Sequence, residues 1–250
     1  MVDGLSRVGR ILFGLAMVLF GLLYLFHARG TGPAPGPPWA AETGILACLI
    51  GAGFVVVGVS IVSKMGARAA AVSLGVVLLL RVLIFFVPQW IRHSHDPGPW
   101  TSGAEIMAMG AAALVLAGEL ELLNSMSWES LVVAGRFLFA AALVVFGVQH
   151  FLYAKFIATL IPAWIPGHLF FSYFVGAVFL AVALSLATKI QGRLAAALLG
   201  LMFLLWVVVL HAPRVAATPQ NGNEWTSAFV ALAFSGGSFV LAGALRRLDR

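Results

Sequence analysis

Residues 131–153 decide the fold class of this chain: they read LVVAGRFLFAAALVVFGVQHFLY, with Arg136 as the only charged side chain. A bilayer's hydrocarbon core is about 30 Å thick, so a helix rising about 1.5 Å per residue needs about 20 apolar residues to cross it. The stretch lacks the alternation of apolar and polar residues that marks a strand of a membrane barrel. It therefore predicts a transmembrane helix.

Stretches of this character recur along the whole chain. The eight predicted spans are Val8–His27, Gly44–Val62, Ala67–Val87, Ala104–Leu122, Leu131–Tyr153, Leu169–Ala187, Leu194–His211 and Ser227–Ala244. The first follows Arg7 and Arg10, as the apolar part of a secretory signal would. Because it is as long as the others and has an internal copy, we expect it to be retained.

The composition excludes a soluble protein. Of the 250 residues, 62% are hydrophobic and 10% are charged, whereas a soluble domain is about 45–50% apolar and about 25% charged. So few charges cannot cover a surface that faces water. The single cysteine, Cys48, excludes a disulfide scaffold and a Cys-x-x-Cys redox or zinc site. The fold class predicted is an all-α membrane protein with eight transmembrane helices.

Basic residues beside the spans predict the orientation, because Lys and Arg accumulate in cytoplasmic loops. One side carries Arg7, Arg10, Lys64, Arg68, Arg136, Lys189, Arg193, Arg246, Arg247 and Arg250, and the other carries Arg29, Arg92, Lys155 and Arg214. We therefore expect a multi-pass cell-membrane protein with both termini cytoplasmic. The same bias accounts for the net charge of +6, so no nucleic-acid partner is expected.

This orientation places every histidine at the extracytoplasmic side. The six histidines are His27, His93, His95, His150, His168 and His211, and Trp39, Trp90, Trp100, Trp164 and Trp225 fall on the same side. An interfacial belt of aromatic residues can explain the tryptophans. It does not explain the histidines.

The chain contains an internal duplication. Residues 9–21, GRILFGLAMVLFG, match residues 135–147, GRFLFAAALVVFG, and from Trp39 and Trp164 onward the offset is 125 residues. Pro88 then matches Pro213, and residues 100–102 match 225–227, both reading WTS. We predict two four-helix bundles, residues 1–125 and 126–250. Because four is even, both enter the membrane from the same side, as a parallel repeat about a pseudo-twofold axis along the membrane normal.

The two halves differ at the outer ends of their helices. His211 aligns with Phe86, and Arg214 with Gln89. The first half is predicted to be a degenerate copy that serves as a packing partner. The second half is predicted to hold a ligand-binding site formed by Gln149, His150, Trp164, His168, His211, Arg214, Asn223, Glu224 and Trp225.

These segments resemble the DoxX-like family of small membrane proteins. The resemblance rests on a four-helix unit whose first helix opens with Gly135-Arg136 and closes with Gly147-Val-Gln-His150, and it covers Gly135–Leu245 and, as a decayed copy, Gly9–Leu120. It implies a role beside membrane oxidoreductases, including quinone-linked thiosulfate oxidation. The chain departs from the dithiol mechanism of other small four-helix redox proteins, because Cys48 is its only cysteine.

Three functions fit the predicted site. The first is a quinone- or lipophile-binding subunit of a membrane oxidoreductase, in which an imidazole donates to a carbonyl or relays its proton, since ionisable groups inside membranes mark functional sites. The second is a non-enzymatic scaffold, lipid-binding or assembly module, alone or as a homo-oligomer. The third is a lipophile-modifying enzyme with His and Glu as acid and base. Whether the chain is an enzyme stays open.

Metal and cofactor chemistry has weaker support. His93-Ser-His95 with Asp96 has a chelating composition, but no helical i,i+4 pair accompanies it, so no metal site is predicted. Two histidines could ligate haem by composition alone, and we expect quinone before haem. No dinucleotide fingerprint, P-loop or nucleophile elbow occurs in a suitable context.

Four arginines inside or beside the spans are expected to have structural roles. Arg81 lies within the third span, where an unpaired charge is expensive, and we expect it to pair with Glu105 or Glu42. Arg10 and Arg136 lie at cytoplasmic span ends and are expected to anchor the helices by extending to the interface. Arg214 and Glu224 are expected to form a loop ion pair.

Overall fold

The computed structural model describes residues 4–35, 44–120 and 126–248. Within these ranges the regular elements are helices, and eight of them are long and apolar enough to cross a membrane. The helices are α1 (Gly4–Ala28), α2 (Gly44–Ser63), α3 (Ala67–Arg92), α4 (Pro97–Glu119), α5 (Met126–Leu152), α6 (Ala154–Ala158), α7 (His168–Thr188), α8 (Gly192–Ala217) and α9 (Gly222–Leu248). Of the helices in the described ranges, α6 alone is too short to cross a membrane. The all-α class is confirmed for the described residues, and so is the presence there of eight helices long and apolar enough to cross a membrane.

Several helices extend beyond the predicted spans. Helix α4 begins at Pro97, seven residues before the predicted start, because the Asp96 carboxylate accepts a hydrogen bond from the Gly98 amide at 3.0 Å and Pro97 opens the first turn. Hydropathy finds the apolar part of a helix and misses a polar first turn of this kind.

Helices α3 and α8 each contain a π-helical turn followed by a proline. The turns are Val82–Phe86 and Val207–His211. At the end of each turn an amide bonds to the carbonyl five residues back, Val87 to Val82 and Ala212 to Val207. Because Pro88 and Pro213 have no N–H to donate, the wider turn lets the helix continue past the proline.

The two most buried helices lie at the centre of the molecule. The apolar windows of α4 and α9 are 72% and 89% buried, against 22% for α2 and 28% for α8. Helices α4 and α9 contact each other, with α3 and α5 packed against α4, and α1 and α8 packed against α9. Helices α2 and α7 complete the outer layer against α1 and α5. The peripheral helices expose apolar side chains, as lipid-facing helices do.

The two halves of the chain interlock. Helix α1 packs mainly on α2 of its own half and α9 of the other, while α5 packs on α7 and α4. Gly9 permits the first contact, because a Cβ there would lie 2.5 Å from the Gly236 carbonyl oxygen of α9. Gly135 permits the second, because its Cβ would lie 2.6 Å from the Ala111 carbonyl oxygen of α4. Small residues thus allow backbone-to-backbone packing.

Local features recur 125 residues apart. Lys64 and Lys189 both have positive φ angles, 67° and 65°. The Trp100 and Trp225 indole N–H groups donate to the Ser94 and Pro219 carbonyls. The two π-helical turns are also 125 residues apart. These shared details are what a duplicated unit would show, while the division at residue 125 and the pseudo-twofold relation stay predictions.

The arginines expected to extend to the interface are buried instead. Arg10 and Arg136 are 7% and 5% exposed. The Arg10 guanidinium donates to the Ile61 and Val62 carbonyl oxygens at 2.5 and 2.6 Å. These carbonyls lie in the last turn of α2, where helical donors run out. Arg10 therefore ties α1 to the C-terminal end of α2.

Candidate functional site

An open groove of about 630 Å³ lies at the end of the molecule where α5 ends and α7 begins, which we call the histidine end. One wall is residues 158–164 with His168, and the other is the last part of α8. Trp164 and His168 line the first wall, and Leu210, Pro213 and Arg214 line the second. Three of the nine predicted site residues, Trp164, His168 and Arg214, thus share one groove.

The loop wall has a defined shape. His168 Nε2 lies 3.2 Å from the Pro162 carbonyl oxygen, so an Nε2–H tautomer closes the loop with a hydrogen bond. Gly167 has φ 75°, in the left-handed region that favours glycine, and Phe171 N–H donates to its carbonyl as α7 starts. Trp164, at the lip of the groove, is 71% exposed. The loop presents an indole and an imidazole to a ligand.

The helical wall carries a charged pair. Arg214 Nη2 donates to Glu224 Oε1 at 2.8 Å, with the arginine side chain 34% exposed and the glutamate 14%. This ion pair confirms the predicted contact and joins α8 to the first turn of α9. A guanidinium has five N–H donors, so Arg214 keeps donors for a ligand in the groove.

Two buried polar atoms belong to residues next to Arg214. His211 is 9% exposed, and among the described residues neither its Nδ1 nor the buried Oε2 of Glu224 has a hydrogen-bond partner. His211 and Arg214 are three residues apart on α8, which makes them neighbours on one helix face, and Glu224 bonds Arg214. The three residues form one polar cluster, which we call the 211/214/224 cluster.

The first half lacks this cluster at the equivalent turn. Phe86 ends the first π-helical turn, is 1% exposed, and packs where Gly103 gives it room. Gln89 Nε2 donates to the Phe85 carbonyl of its own helix at 3.0 Å. The two π-helical turns thus point an apolar ring inward in one half and an imidazole in the other.

Four predicted site residues lie outside both the groove and the 211/214/224 cluster. Gln149 Nε2 donates to the Pro97 carbonyl at 3.1 Å, and its Oε1 accepts from the Thr101 hydroxyl at 3.0 Å, so it joins α5 to α4. Asn223 is exposed, and its backbone N–H donates to Asn221 Oδ1 at 3.0 Å. Trp225 bonds the Pro219 carbonyl at 2.9 Å.

His150, the fourth of them, contacts a backbone carbonyl and an aromatic ring of the protein. Its Nδ1 lies 2.8 Å from the Phe146 carbonyl oxygen of the preceding turn, and its ring meets the edge of Phe179 with centroids 5.2 Å apart. Gln149 and His150 point about 100° apart on the helix, which separates their contacts. Neither reaches the 211/214/224 cluster through a hydrogen bond.

Of the two predicted ion-pair partners of Arg81, Glu105 and Glu42, the structure describes Glu105. Arg81 and Glu105 form no ion pair with each other among the described residues. Glu42, the other predicted partner, lies outside the described residues, as does Trp39. His93, His95 and Asp96 are exposed, and the described part of the chain contains no group of three or more His, Cys, Asp or Glu side chains placed to hold a metal ion.

Sequence reasoning missed most of the apolar groove wall. Thr159, Ile161, Val209 and Leu210 line the groove but carry no chemical signature. What could have indicated them is their closeness in sequence to predicted site residues. Thr159 and Ile161 come shortly before Trp164, and Leu210 comes directly before His211. Comparison of the chain with models of known families, with curated proteins and with solved structures gives no match.

Proposed function

We propose that this protein is a multi-pass membrane protein that binds the polar end of a lipophilic molecule, with quinone as the first candidate. The observation that carries the proposal is the position of Arg214, which lines an apolar groove and is held there by Glu224. A cationic donor beside apolar walls suits a ligand with a carbonyl or anionic head and an apolar body.

Each polar group of the groove has a role in this proposal. Arg214 donates to the oxygen of the head group, and charge-assisted hydrogen bonds of this kind are the strong ones. His168 bonds the Pro162 carbonyl and positions the loop. Trp164 offers an indole face to a flat ring, and aromatic pairs contribute about 0.5–1.5 kcal/mol beyond their buried area.

The geometry supports binding over catalysis. His211 and Glu224, the predicted acid and base, do not line the groove. A catalytic acid must come within hydrogen-bond reach of the reacting group, directly or through one water. We therefore propose that His211 and Glu224 position Arg214 and that chemistry on the ligand, where it occurs, belongs to a partner oxidoreductase. That partner is what the DoxX-like resemblance implies.

A lipid-binding module is the second candidate, and the exposed aromatic residues beside the groove favour it. Phe156 and Trp164 are 66% and 71% exposed. Aromatic side chains in such positions anchor proteins at the membrane interface. In this version a phospholipid head group occupies the groove. Both candidates place the histidine end on the extracytoplasmic side and both termini in the cytoplasm.

The test begins with what the purified protein carries. Lipids extracted from the protein in nanodiscs are identified by mass spectrometry, and a short-chain quinone is then titrated while tryptophan fluorescence is recorded. The Arg214→Gln variant is expected to weaken quinone binding about tenfold, since a hydrogen bond to a charged group is worth about 1.5–3 kcal/mol. Gln89→Ala, at the equivalent position of the first half, is the matched control and is expected to bind normally.

The results separate the two candidates. Enriched quinone that Arg214→Gln loses supports the first candidate. Enriched phospholipid, with no fluorescence response to quinone, supports the second. Equal lipid content and equal quinone affinity in Arg214→Gln and wild type would contradict both, because Arg214 would then contact no ligand.

A further inference from the structure

Glu105 is an acidic side chain inside the membrane-spanning part of α4 that the groove does not use. It lies eight residues beyond the first residue of α4, about 12 Å along the helix axis. Its side chain is half-buried, between fully buried Ala104 and Ala108. No described residue forms a hydrogen bond or an ion pair with its carboxylate. Ionisable residues in such positions are expensive to keep and mark functional sites.

The neighbouring charges are engaged elsewhere or lie too far away for an ion pair. Helices α3, α5 and α9 pack against α4. Among the side chains that the structure describes, the charged or titratable ones of these helices are Arg81, Arg92, His150 and Glu224 toward the histidine end, and Arg68, Glu129 and Arg136 toward the opposite end. Of these, Glu224 is held by Arg214 and His150 by the Phe146 carbonyl. None forms an ion pair with Glu105.

Hydrogen-bonded polar groups lie between the exposed start of α4 and Glu105. Gln149 Nε2 bonds the Pro97 carbonyl at the exposed start of α4, and the Thr101 hydroxyl donates to Gln149 Oε1 at 3.0 Å or to the Pro97 carbonyl at 2.9 Å. Thr101 and Glu105 are four residues apart on α4, so they share one face, with Cβ atoms about 5–6 Å apart. Glu105 is the next ionisable residue of α4 after this polar first turn.

We infer that Glu105 is a proton-binding site that exchanges its proton with the histidine end along Thr101 and Gln149. The step is a simple transfer: the carboxylate accepts a proton from hydronium, leaving water and a neutral carboxylic acid, and the reverse step returns it. A neutral acid can remain in an apolar span, whereas an isolated carboxylate there is costly. The site is separate from the groove and does not rest on the proposed lipophile.

Carbodiimide labelling tests the proton. Dicyclohexylcarbodiimide adds to protonated carboxyl groups in apolar surroundings, and peptide mapping by mass spectrometry locates the adduct in the full-length protein in nanodiscs. Glu129, an exposed carboxylate of the same chain, is the internal control. Labelling at Glu105 is expected to exceed that at Glu129 about tenfold, in proportion to its larger protonated fraction. The labelling of Glu105 is also expected to fall as the pH rises. Equal labelling, or labelling of Glu105 that ignores pH, would overturn the inference.

Infrared difference spectroscopy tests the path. A carboxylic acid band that is lost in Glu105→Gln assigns the protonated group, and transfer to D₂O reports how fast its proton exchanges. Thr101→Val is expected to slow that exchange about tenfold, taking away one hydrogen-bonded step of about 1.4 kcal/mol. The control Ser102→Ala removes the neighbouring hydroxyl of α4 and is expected to exchange normally. Should Glu105→Gln fail to fold, the wild-type labelling decides alone, and equal exchange in Thr101→Val and Ser102→Ala removes the proposed path.

Discussion

The packing of α1 against α9 can be tested by adding one methyl group at Gly236. An ideal Cβ at this position would overlap the Phe13 backbone nitrogen and lie 2.7 Å from the Gly9 carbonyl oxygen, both on α1. These are backbone atoms of a helix, so neither can rotate out of the way as a side-chain tip could. Gly236→Ala therefore forces α1 and α9 apart or strains both.

The expected magnitude follows from two opposing terms. Overpacking a buried contact costs about 1–3 kcal/mol, and the rigid backbone neighbours place Gly236→Ala at about 3 kcal/mol. Replacing glycine by alanine inside a helix returns about 1 kcal/mol. The net loss is about 2 kcal/mol, which raises the unfolding equilibrium constant about 30-fold.

Gly53 supplies the matched control. It lies in α2, and an added Cβ there would meet nothing within 4 Å. Gly53→Ala should therefore gain only the helix-propensity term, about 0.5–1 kcal/mol of stability. Unfolding of both variants in mixed detergent micelles, followed by circular dichroism, gives the two free energies. Equal stability of Gly236→Ala and Gly53→Ala would refute the close approach of α1 and α9.

Three further predictions concern single contacts. Ser6→Ala removes the 2.8 Å hydrogen bond from the Ser6 hydroxyl to Glu119 Oε2, which joins α1 to α4. The free energy of unfolding should fall by about 1.5–3 kcal/mol in the same assay. A smaller fall than in the exposed control Ser63→Ala would contradict this prediction. Gln149→Leu removes both hydrogen bonds that join α5 to the start of α4. Amide hydrogen exchange at Gly98, Trp100 and Thr101 should therefore rise, and unchanged exchange there would show that the contact is unimportant. Trp164→Phe should abolish most of the quinone-dependent fluorescence change, because Trp164 stands at the lip of the groove, whereas Trp100→Phe should preserve it.

The spans could be predicted from the sequence because burial in lipid and length are local properties. Hydropathy located all eight helices, yet it placed the start of α4 at Ala104, since the polar first turn from Pro97 to Thr101 lies outside the apolar run. It also could not tell which helices pack together. The atoms closest to Gly9 belong to α9, in the other half of the chain. In the sequence, a glycine indicates a close helix contact but does not identify the helix that makes it.

The site was harder to predict than the fold for the same reason. Trp164, His168 and Arg214 were found because their chemistry is unusual near a span, and all three line the groove. Gln149 has equally unusual chemistry but uses it to hold α4. The π-helical turn that buries His211 changes which way the residues after it face, and no pattern of single residues announces that shift.

The exchange of partners between the halves has a consequence for how the protein is made. Helix α1 leaves the ribosome about 200 residues before α9, the helix on which it packs. Until translation reaches α9, the surface of α1 around Gly9 must be covered by lipid or by an insertion chaperone. The first half synthesised as a separate polypeptide should therefore stay incomplete in the membrane, and co-expression of residues 126–250 as a second polypeptide should complete it.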